Sequence, residues 1–389
     1  MKNIRIIFFY HQLDSLRYFQ DRLLRCAKAL GVECLVADPQ DPASYSSEHL
    51  LSFASGGDTV MFTFNQVGIA LFGPEGNFWS SNGIPVYDFV VDHPRNYDDI
   101  LLNPPCEVRV ISLDLDNIEF IRRFYPGIST IHFIPNGGTK ASEFKPFSQR
   151  SMDVMYMGGC QVDTQFYPPI NGLPENGASF YRDTIDMMIA DPSLTTEGAV
   201  DRYFSDRGFS ISEANLLKLN LSAAPYIENT VRRHFKLEGM HALDDAGICV
   251  DIIGGDSWID KDKPFSDRIR IHPRISSAEL NPRIGDARIS LCYTPWYKRG
   301  CSEKQFDSML NGALCLSDRN SYLEKRYTDG KNIVYFDLKD PGKMAADVRW
   351  LLDHPHDAEN IAMEGCKTAS LYDTWENRFD LILEAMRGD

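Results

Sequence analysis

The sequence contains no apolar stretch approaching the ~20 residues needed to span a bilayer. It has no C-x-x-C pair, no H-x-x-x-H and no H-E-x-x-H, so no zinc ribbon or zincin-type site is in view and no obligatory metal is expected. Positive charge is short: 40 Lys and Arg stand against 55 Asp and Glu, a net charge of −15. Such a surface repels phosphate backbones, which argues against a general nucleic-acid binder but leaves room for a local basic pocket. Internal repeats and low-complexity segments are also missing.

What is present fits a globular enzyme-sized chain. Its 389 residues are 43% hydrophobic and 24% charged, with a mean hydropathy of −0.29. At ~150 residues per domain this is most simply two domains. The nine cysteines are odd in number, and several lie in apolar runs, as in Gly-Ile-Cys249-Val and Ser-Leu-Cys292-Tyr. They read as buried reduced thiols in a reducing compartment. The apolar run at 4–10 is too short for a signal peptide and reaches His11 at once. A cytoplasmic location is expected.

The first 140 residues alternate between strand and helix patterns. Apolar runs of strand length lie at 4–10, 32–36, 59–64, 85–91, 108–113 and 130–134. Helical patterns lie at 14–30, where Leu16, Phe19, Leu23 and Ala27 recur at helical spacing, and at 46–53 and 116–124. A polar stretch containing Pro146 reads as a linker, after which strands recur at 152–157, 249–253, 269–272, 288–293, 314–317 and 333–336. Residues 161–225 give only mixed helical signals. The pattern predicts an α/β protein with two Rossmann-like, doubly wound parallel sheets. The domains are expected at 1–145 and 151–370, with a closing helix at 374–389. Its apolar stripe is Trp375, Phe379, Ile382 and Met386. Ligands of open parallel sheets bind outside the carboxyl ends of the strands, so a cleft between two such sheets is expected to hold two ligands.

The most informative block runs from Cys301 to Asp318. A helix beginning near Glu303 carries Lys304 and Asp307 on one face and ends at Gly312. An ammonium near a helix N-terminus suits a diphosphate, and a carboxylate on the same face suits ribose hydroxyls. As isolated residues the two also fit a solvated ion pair. Gly158-Gly159 and Gly254-Gly255-Asp256 close strands, as glycine turns that let backbone approach a ligand or as plain turns. His272 and Arg274 follow another strand, and Tyr293-Thr294 closes the next; Arg274 equally fits the surface and Tyr293 the core.

The block resembles the signature of GT-B glycosyltransferases, in particular the CgeB-like family with its "glycosyl transferases group 1" C-terminal domain. Lys304-Gln305-Phe306-Asp307 before Gly312 is similar to that family's Arg-x-Phe-Glu before a glycine. Tyr322-Leu323-Glu324, Asp329 to Phe336, Val348 to Pro355 and Tyr372 to Arg378 resemble later segments of the same domain, so the likeness spans 265–385. It implies a GT-B fold with two Rossmann-like domains facing a central cleft and the closing helix 374–389 crossing back to the first domain. The implied activity is transfer of a sugar from a UDP-linked nucleotide-sugar, a co-substrate rather than a cofactor, to an acceptor hydroxyl on a glycan, protein or small molecule. Donor contacts are then expected at Gly158, Gly159, His272, Arg274, Tyr293, Thr294, Lys304 and Asp307. The sequence departs from the retaining pattern of two glutamates: Arg299 stands where one would be, and Asp307 replaces the other. A nucleotide-sugar 2-epimerase of the same fold and a non-catalytic sugar-binding protein are the alternatives.

In the first domain, Asp92 and His93 close a strand, and a His beside a carboxylate is what general-base work needs. His93, polarised by Asp92 or Asp98, is the expected base, with His11 and Asp99 in reserve; a structural histidine is the other reading. Asp114-Leu115-Asp116 mimics a metal-binding D-x-D, but Asp116 is expected instead as the cap of the following helix.

Overall fold

The structure, a computed structural model, describes residues 4–141, 144–160, 170–258 and 263–388. It divides into two compact units, each built on its own six-stranded parallel sheet.

Unit 1 comprises Met1–Gly138, Ser276–Ala278 and Tyr372–Asp389. Its strands are β1 (Arg5–Phe9), β2 (Cys34–Ala37), β3 (Thr59–Phe64), β4 (Phe72–Gly73), β5 (Gly76–Asn77), β6 (Val86–Val90), β7 (Val108–Ser112) and β8 (Ile131–Phe133). The main sheet has the order β2-β1-β3-β6-β7-β8, and β4 and β5 form a separate two-residue hairpin. Strands such as β6 are buried at every position, as expected for a sheet covered on both faces. The strand order reverses between β1 and β3, and such a switch point opens a crevice at the carboxyl ends. The closing helix, Trp375–Gly388, packs on helix Asp14–Ala29. Its first residue, Trp375, is buried, with its ring 4.9 Å from Phe19 and 6.5 Å from Phe64. Arg378 fixes the entry to this helix: it pairs with Asp373 at 2.6 Å, both fully buried, and donates to the Asn136 carbonyl.

Unit 2 comprises Thr139–Ile275 and Glu279–Leu371. Its strands are β9 (Met152–Met157), β10 (Val250–Ile253), β11 (Ile269–His272), β12 (Ala287–Cys292), β13 (Leu314–Asp318) and β14 (Val334–Phe336), in the order β11-β10-β9-β12-β13-β14. This is the Rossmann order, with its switch point between β9 and β12. Alternation along β9 feeds two cores: Val154 and Tyr156 join Ile252 and Leu291 on one face, while Met155 and Met157 join Ile253 and Ala313 on the other.

Two expectations change. The division falls at Gly138–Thr139, ahead of the supposed linker, because that segment is stitched into unit 2. Thr139 and Ala141 donate their amides to Asp307 and Asn311, and Phe144 lies against Gly285 and Gly312. The Arg150 guanidinium donates to the carbonyls of Ala287 and Gly312. The stretch expected to be irregular carries four helices joined by short connections: Glu175–Ala190, Thr196–Asp206, Glu213–Ser222 and the start of Ala224–Asp245. Thr195 and Ser212 cap the second and third of these through their hydroxyls. Residues 161–169 of that stretch lie outside the described residues.

Candidate functional site

All strands of unit 2 are parallel, so their carboxyl ends share one edge, and the turns after β9 and β12 flank its switch point. The turn after β9 is Gly158-Gly159. Gly158 has φ +123°, a conformation that side-chain-bearing residues avoid. A Cβ added there would lie 3.1 Å from Lys304 Nζ. The turn is fixed from below by Trp258, whose indole donates to the Gly158 carbonyl at 2.7 Å, and by Gly254, which has no room for a side chain against that same carbonyl.

Lys304 belongs to helix Glu303–Leu310, capped by the Ser302 hydroxyl on the Lys304 amide. The ammonium that reaches the glycine turn thus comes from the first turn of a helix, and a cation beside a glycine turn favours an anion. A second lysine enters from helix Ala224–Asp245. Lys236 is 8% exposed and donates from Nζ to the Gly159 carbonyl at 2.9 Å. Its Nζ lies 5.4 Å from the Trp296 ring, and Arg232, paired with Glu228, stacks on that ring at 3.9 Å. Burial, with Lys304 nearby, pushes the Lys236 ammonium down to about 7.

Beneath this edge lies a buried polar chain. The Thr294 amide donates to Asp318 Oδ1 at 2.6 Å, and Gln305 donates to the Thr294 hydroxyl at 2.8 Å. Burial raises the Asp318 carboxyl to about 6, with the Thr294 amide opposing. The Gln305 carbonyl oxygen is buried with no hydrogen-bond partner. The structure thus brings Gly158, Gly159 and Lys304 together. It gives other sequence candidates different work. Tyr293 is core, 2% exposed, its hydroxyl against Met344 Sδ and its ring 4.9 Å from Phe336. Thr294 is fully buried and holds Asp318. Asp307 accepts the Thr139 amide at 2.6 Å, so this carboxylate ties down the incoming chain. His272 bonds Asp251 Oδ1 through Nε2 at 2.7 Å, next to Arg270 on the same carboxylate. Arg274 is exposed, with its amide facing Gly255.

In unit 1 the carboxyl ends of β1, β3 and β6 carry a second polar cluster. Asn65 and Gln66 follow β3 with φ +49° and +67°, two consecutive left-handed non-glycine residues, a strained turn held by its surroundings. Asn65 accepts the Val91 amide and donates to Asp92 Oδ2 at 2.9 Å; the Tyr97 hydroxyl donates to the same oxygen at 2.9 Å. Gln66 donates its amide to Asp88 and its side chain to the Tyr97 carbonyl. Burial raises the Asp88 carboxyl to about 7. Asp92 itself is exposed, with one carboxylate oxygen fixed by two donors.

His93 caps the turn Pro94–Tyr97. Its Nδ1 accepts the Arg95 amide at 3.2 Å, and its ring lies edge-on to Phe120 at 4.7 Å. A ring whose Nδ1 accepts an amide carries its neutral-state proton on Nε2, so it presents a donor rather than a base. His11 has the same arrangement, with Nδ1 accepting the Leu13 amide at 2.9 Å. Burial lowers His11 from its ordinary value, with Asp92 opposing. Asp114 is the helix cap, accepting the Asp116 amide, rather than Asp116. Asp98 and Asp99 occupy the first turn of helix Asp98–Leu102. Among the described residues, no group of three or more His, Cys, Asp and Glu is arranged to hold a metal ion.

Lys236, Gln305, Asp318, Asn65 and Tyr97 were not singled out by the sequence. Asn65-Gln66 after an apolar strand was a usable signal, because Asn is the non-glycine residue most at ease in the left-handed region. Lys236 left none, since a mid-helix lysine reads as a surface residue.

Residues 232–384 match the family model described as glycosyl transferase-like. No curated protein matches the chain at a significant level. Among solved structures, the chain is similar to the Anabaena protein HepE in complex with UDP-glucose (10% identity, TM-score 0.53, 99% of this chain and 100% of that one). It is similar to an α-glucosyltransferase in complex with UDP and a 13-mer DNA (10% identity, TM-score 0.55, 98% and 99%). It is also similar to the T4 phage BGT in complex with UDP and Mn²⁺ (11% identity, TM-score 0.51, 98% and 99%). The chain spans about half, 54%, of the length of TarM, which it also resembles. The fold is GT-B: two Rossmann-like parallel-sheet domains.

Proposed function

We propose that the protein is a glycosyltransferase that moves a sugar from a UDP-linked nucleotide-sugar to an acceptor hydroxyl on a glycan, protein or small molecule. One observation carries this reading: Lys304, from the first turn of helix Glu303–Leu310, brings its Nζ to the Gly158 turn at the switch point of a Rossmann-ordered sheet. Backbone amides, a helix dipole and an ammonium there favour a diphosphate. The glycosyl transferase-like match over this region supports it, as do the UDP and UDP-glucose held by the structural neighbours.

In the proposed reaction the acceptor oxygen attacks the anomeric carbon, and the bond from that carbon to the diphosphate oxygen breaks. Lys304 and the helix N-terminus stabilise the charge on the departing nucleoside diphosphate. The acceptor proton passes to Asp92, whose carboxylate Asn65 and Tyr97 orient. His93 serves as the cap beside it and as a donor through Nε2. Leaving-group charge is met by protein cations, so we infer that transfer does not require the Mn²⁺ that accompanies UDP in the T4 phage BGT complex. The DNA in the α-glucosyltransferase complex does not extend to this chain's acceptor, given its net charge of −15. The closer likeness to CgeB-like proteins rests on the 304–307 motif and its following segments. Nine free thiols support a cytoplasmic location.

The test is a thermal-shift and calorimetric screen against UDP, GDP and ADP. A nucleoside diphosphate at ~100 times its dissociation constant adds about 2.7 kcal/mol of stability. A chain whose melting temperature none of the three moves is not a nucleotide-sugar enzyme. Transfer abolished by EDTA and restored by Mn²⁺ would remove the metal-independent part.

A further inference from the structure

Lys236 arrives at this edge from the helical stretch 175–245 rather than from a strand end or the helix following one. Its Nζ hydrogen bond goes to a neutral carbonyl, that of Gly159. The groups acting on it are Lys304 from helix Glu303–Leu310, Arg232 from its own helix and the Cys160 thiol just past β9. Trp296, from the chain after β12, closes it off on another side. Arg232 already has Glu228 as its carboxylate. Among the described residues, no carboxylate acts on this buried ammonium, which sits with two other cations and a neutral carbonyl, so its desolvation is uncompensated there. That cost is met by giving up the proton, and burial indeed holds Lys236 down to about 7.

We propose that Lys236 takes up a proton when the diphosphate of the donor binds at the Gly158–Gly159 turn, so that donor binding is proton-linked and weakens as pH rises. The inference rests on the donor site proposed above and deepens it. The diphosphate supplies the missing counter-charge. The proton comes from solvent, is held on Nζ while the anion is present, and returns when nucleoside diphosphate leaves. The charge stored in the site then matches the charge of what occupies it, and the empty turn is spared a buried, unpaired cation.

The experiment is calorimetric titration of UDP at about pH 7.5 in Tris and in Hepes, whose ionisation enthalpies differ, with wild type and Lys236→Arg. Arginine keeps a charge and a donor for Gly159 but does not exchange a proton, and UDP's own ionisation cancels between the two proteins. Wild type is expected to take up about half to one proton more per UDP than the variant. Equal uptake overturns the inference and leaves the donor site standing. Should the arginine variant misfold by circular dichroism, the wild type alone decides. Above about pH 7.5, where UDP is fully ionised, its affinity is expected to fall by up to about tenfold per pH unit, and a flat profile overturns the inference. Failure of UDP to bind at any pH overturns the donor site and this inference together.

Discussion

The carboxyl ends of the two sheets present groups of opposite charge on one kind of scaffold. In unit 1 that edge presents amides, a phenol and carboxylates: Asn65, Gln66, Tyr97, Asp88 and Asp92. In unit 2 it presents a glycine turn with Lys304 and Lys236 against it. The strand orders differ in the same place, with the switch point between β1 and β3 in one and β9 and β12 in the other. Where the turn is strained but side-chain-bearing, as at Asn65-Gln66, the edge orients a carboxylate. Where it is glycine, the backbone itself is open to an anion.

The comparison breaks most sharply at Asp92. Asp92→Asn keeps the size of the side chain and its Asn65 and Tyr97 neighbours but removes the carboxylate proposed as the base. Turnover, measured as release of nucleoside diphosphate from the donor, is expected to fall by about 10²–10⁴, with UDP affinity unchanged. Normal turnover would leave unit 1 without a base at this position. Lys304→Ala attacks the other edge. It removes one charge-assisted contact, worth about 1.5–3 kcal/mol, so UDP binding measured by calorimetry is expected to weaken by roughly 10- to 100-fold. Unit 1 is untouched by this change, and an unaltered dissociation constant would detach Lys304 from the diphosphate.

A third experiment sharpens what the two units share. Each buries a carboxyl that accepts a backbone amide: Asp88 from Gln66, Asp318 from Thr294. Burial raises them to about 7 and about 6, above the 3.8 of an exposed aspartate. Across those intervals the folded protein binds protons that the unfolded chain has released, so stability falls as pH rises through them. The loss is on the order of 1 kcal/mol per pH unit for each group. Asp88→Asn is expected to flatten urea stability between about pH 4 and 7, and Asp318→Asn between about pH 4 and 6. If both variants keep the wild-type slope, the carboxyls are not the cause.

The sequence told its own story best where period and burial agree. The β1, β3, β6, β9 and β12 runs are mostly apolar and bounded by turns, and they sit where expected to within a residue or two. The helices between 175 and 245 were hidden because their inward faces carry polar residues. Thr184, Asn220, Glu228, Lys236 and His241 are all buried, which breaks the apolar stripe that periodicity detects. The glycine turn at 158–159 and Lys304 at a helix start were legible because turn chemistry and a helix start are local signals. Asp307 was legible as a helix-face residue but not as the partner of Thr139, because that contact depends on how distant chain returns to the helix. Tyr293 shows the limit for strand ends: the last apolar residue can turn in or out, and here it turns in toward Gly239.

The smallest effect is expected at His93, and it separates the two residues that the sequence paired. His93→Ala removes the acceptor for the Arg95 amide and the ring contact with Phe120. Loss of such a cap costs about 0.5–2 kcal/mol, so the melting temperature should drop by a few degrees. Turnover should stay within about threefold of wild type, since Asp92 keeps Asn65 and Tyr97 as its orienting partners. The contrast with Asp92→Asn is the point: one variant loses stability and keeps rate, the other keeps stability and loses rate. A His93→Ala protein with an unchanged melting temperature and a hundredfold slower reaction would return the proton to the imidazole. That outcome would require the ring to give up the Arg95 amide and carry its hydrogen on Nδ1 during turnover. A pH–rate profile on the same variant decides it, because an imidazole base leaves an acidic limb that disappears with His93, whereas a carboxylate base leaves one that persists.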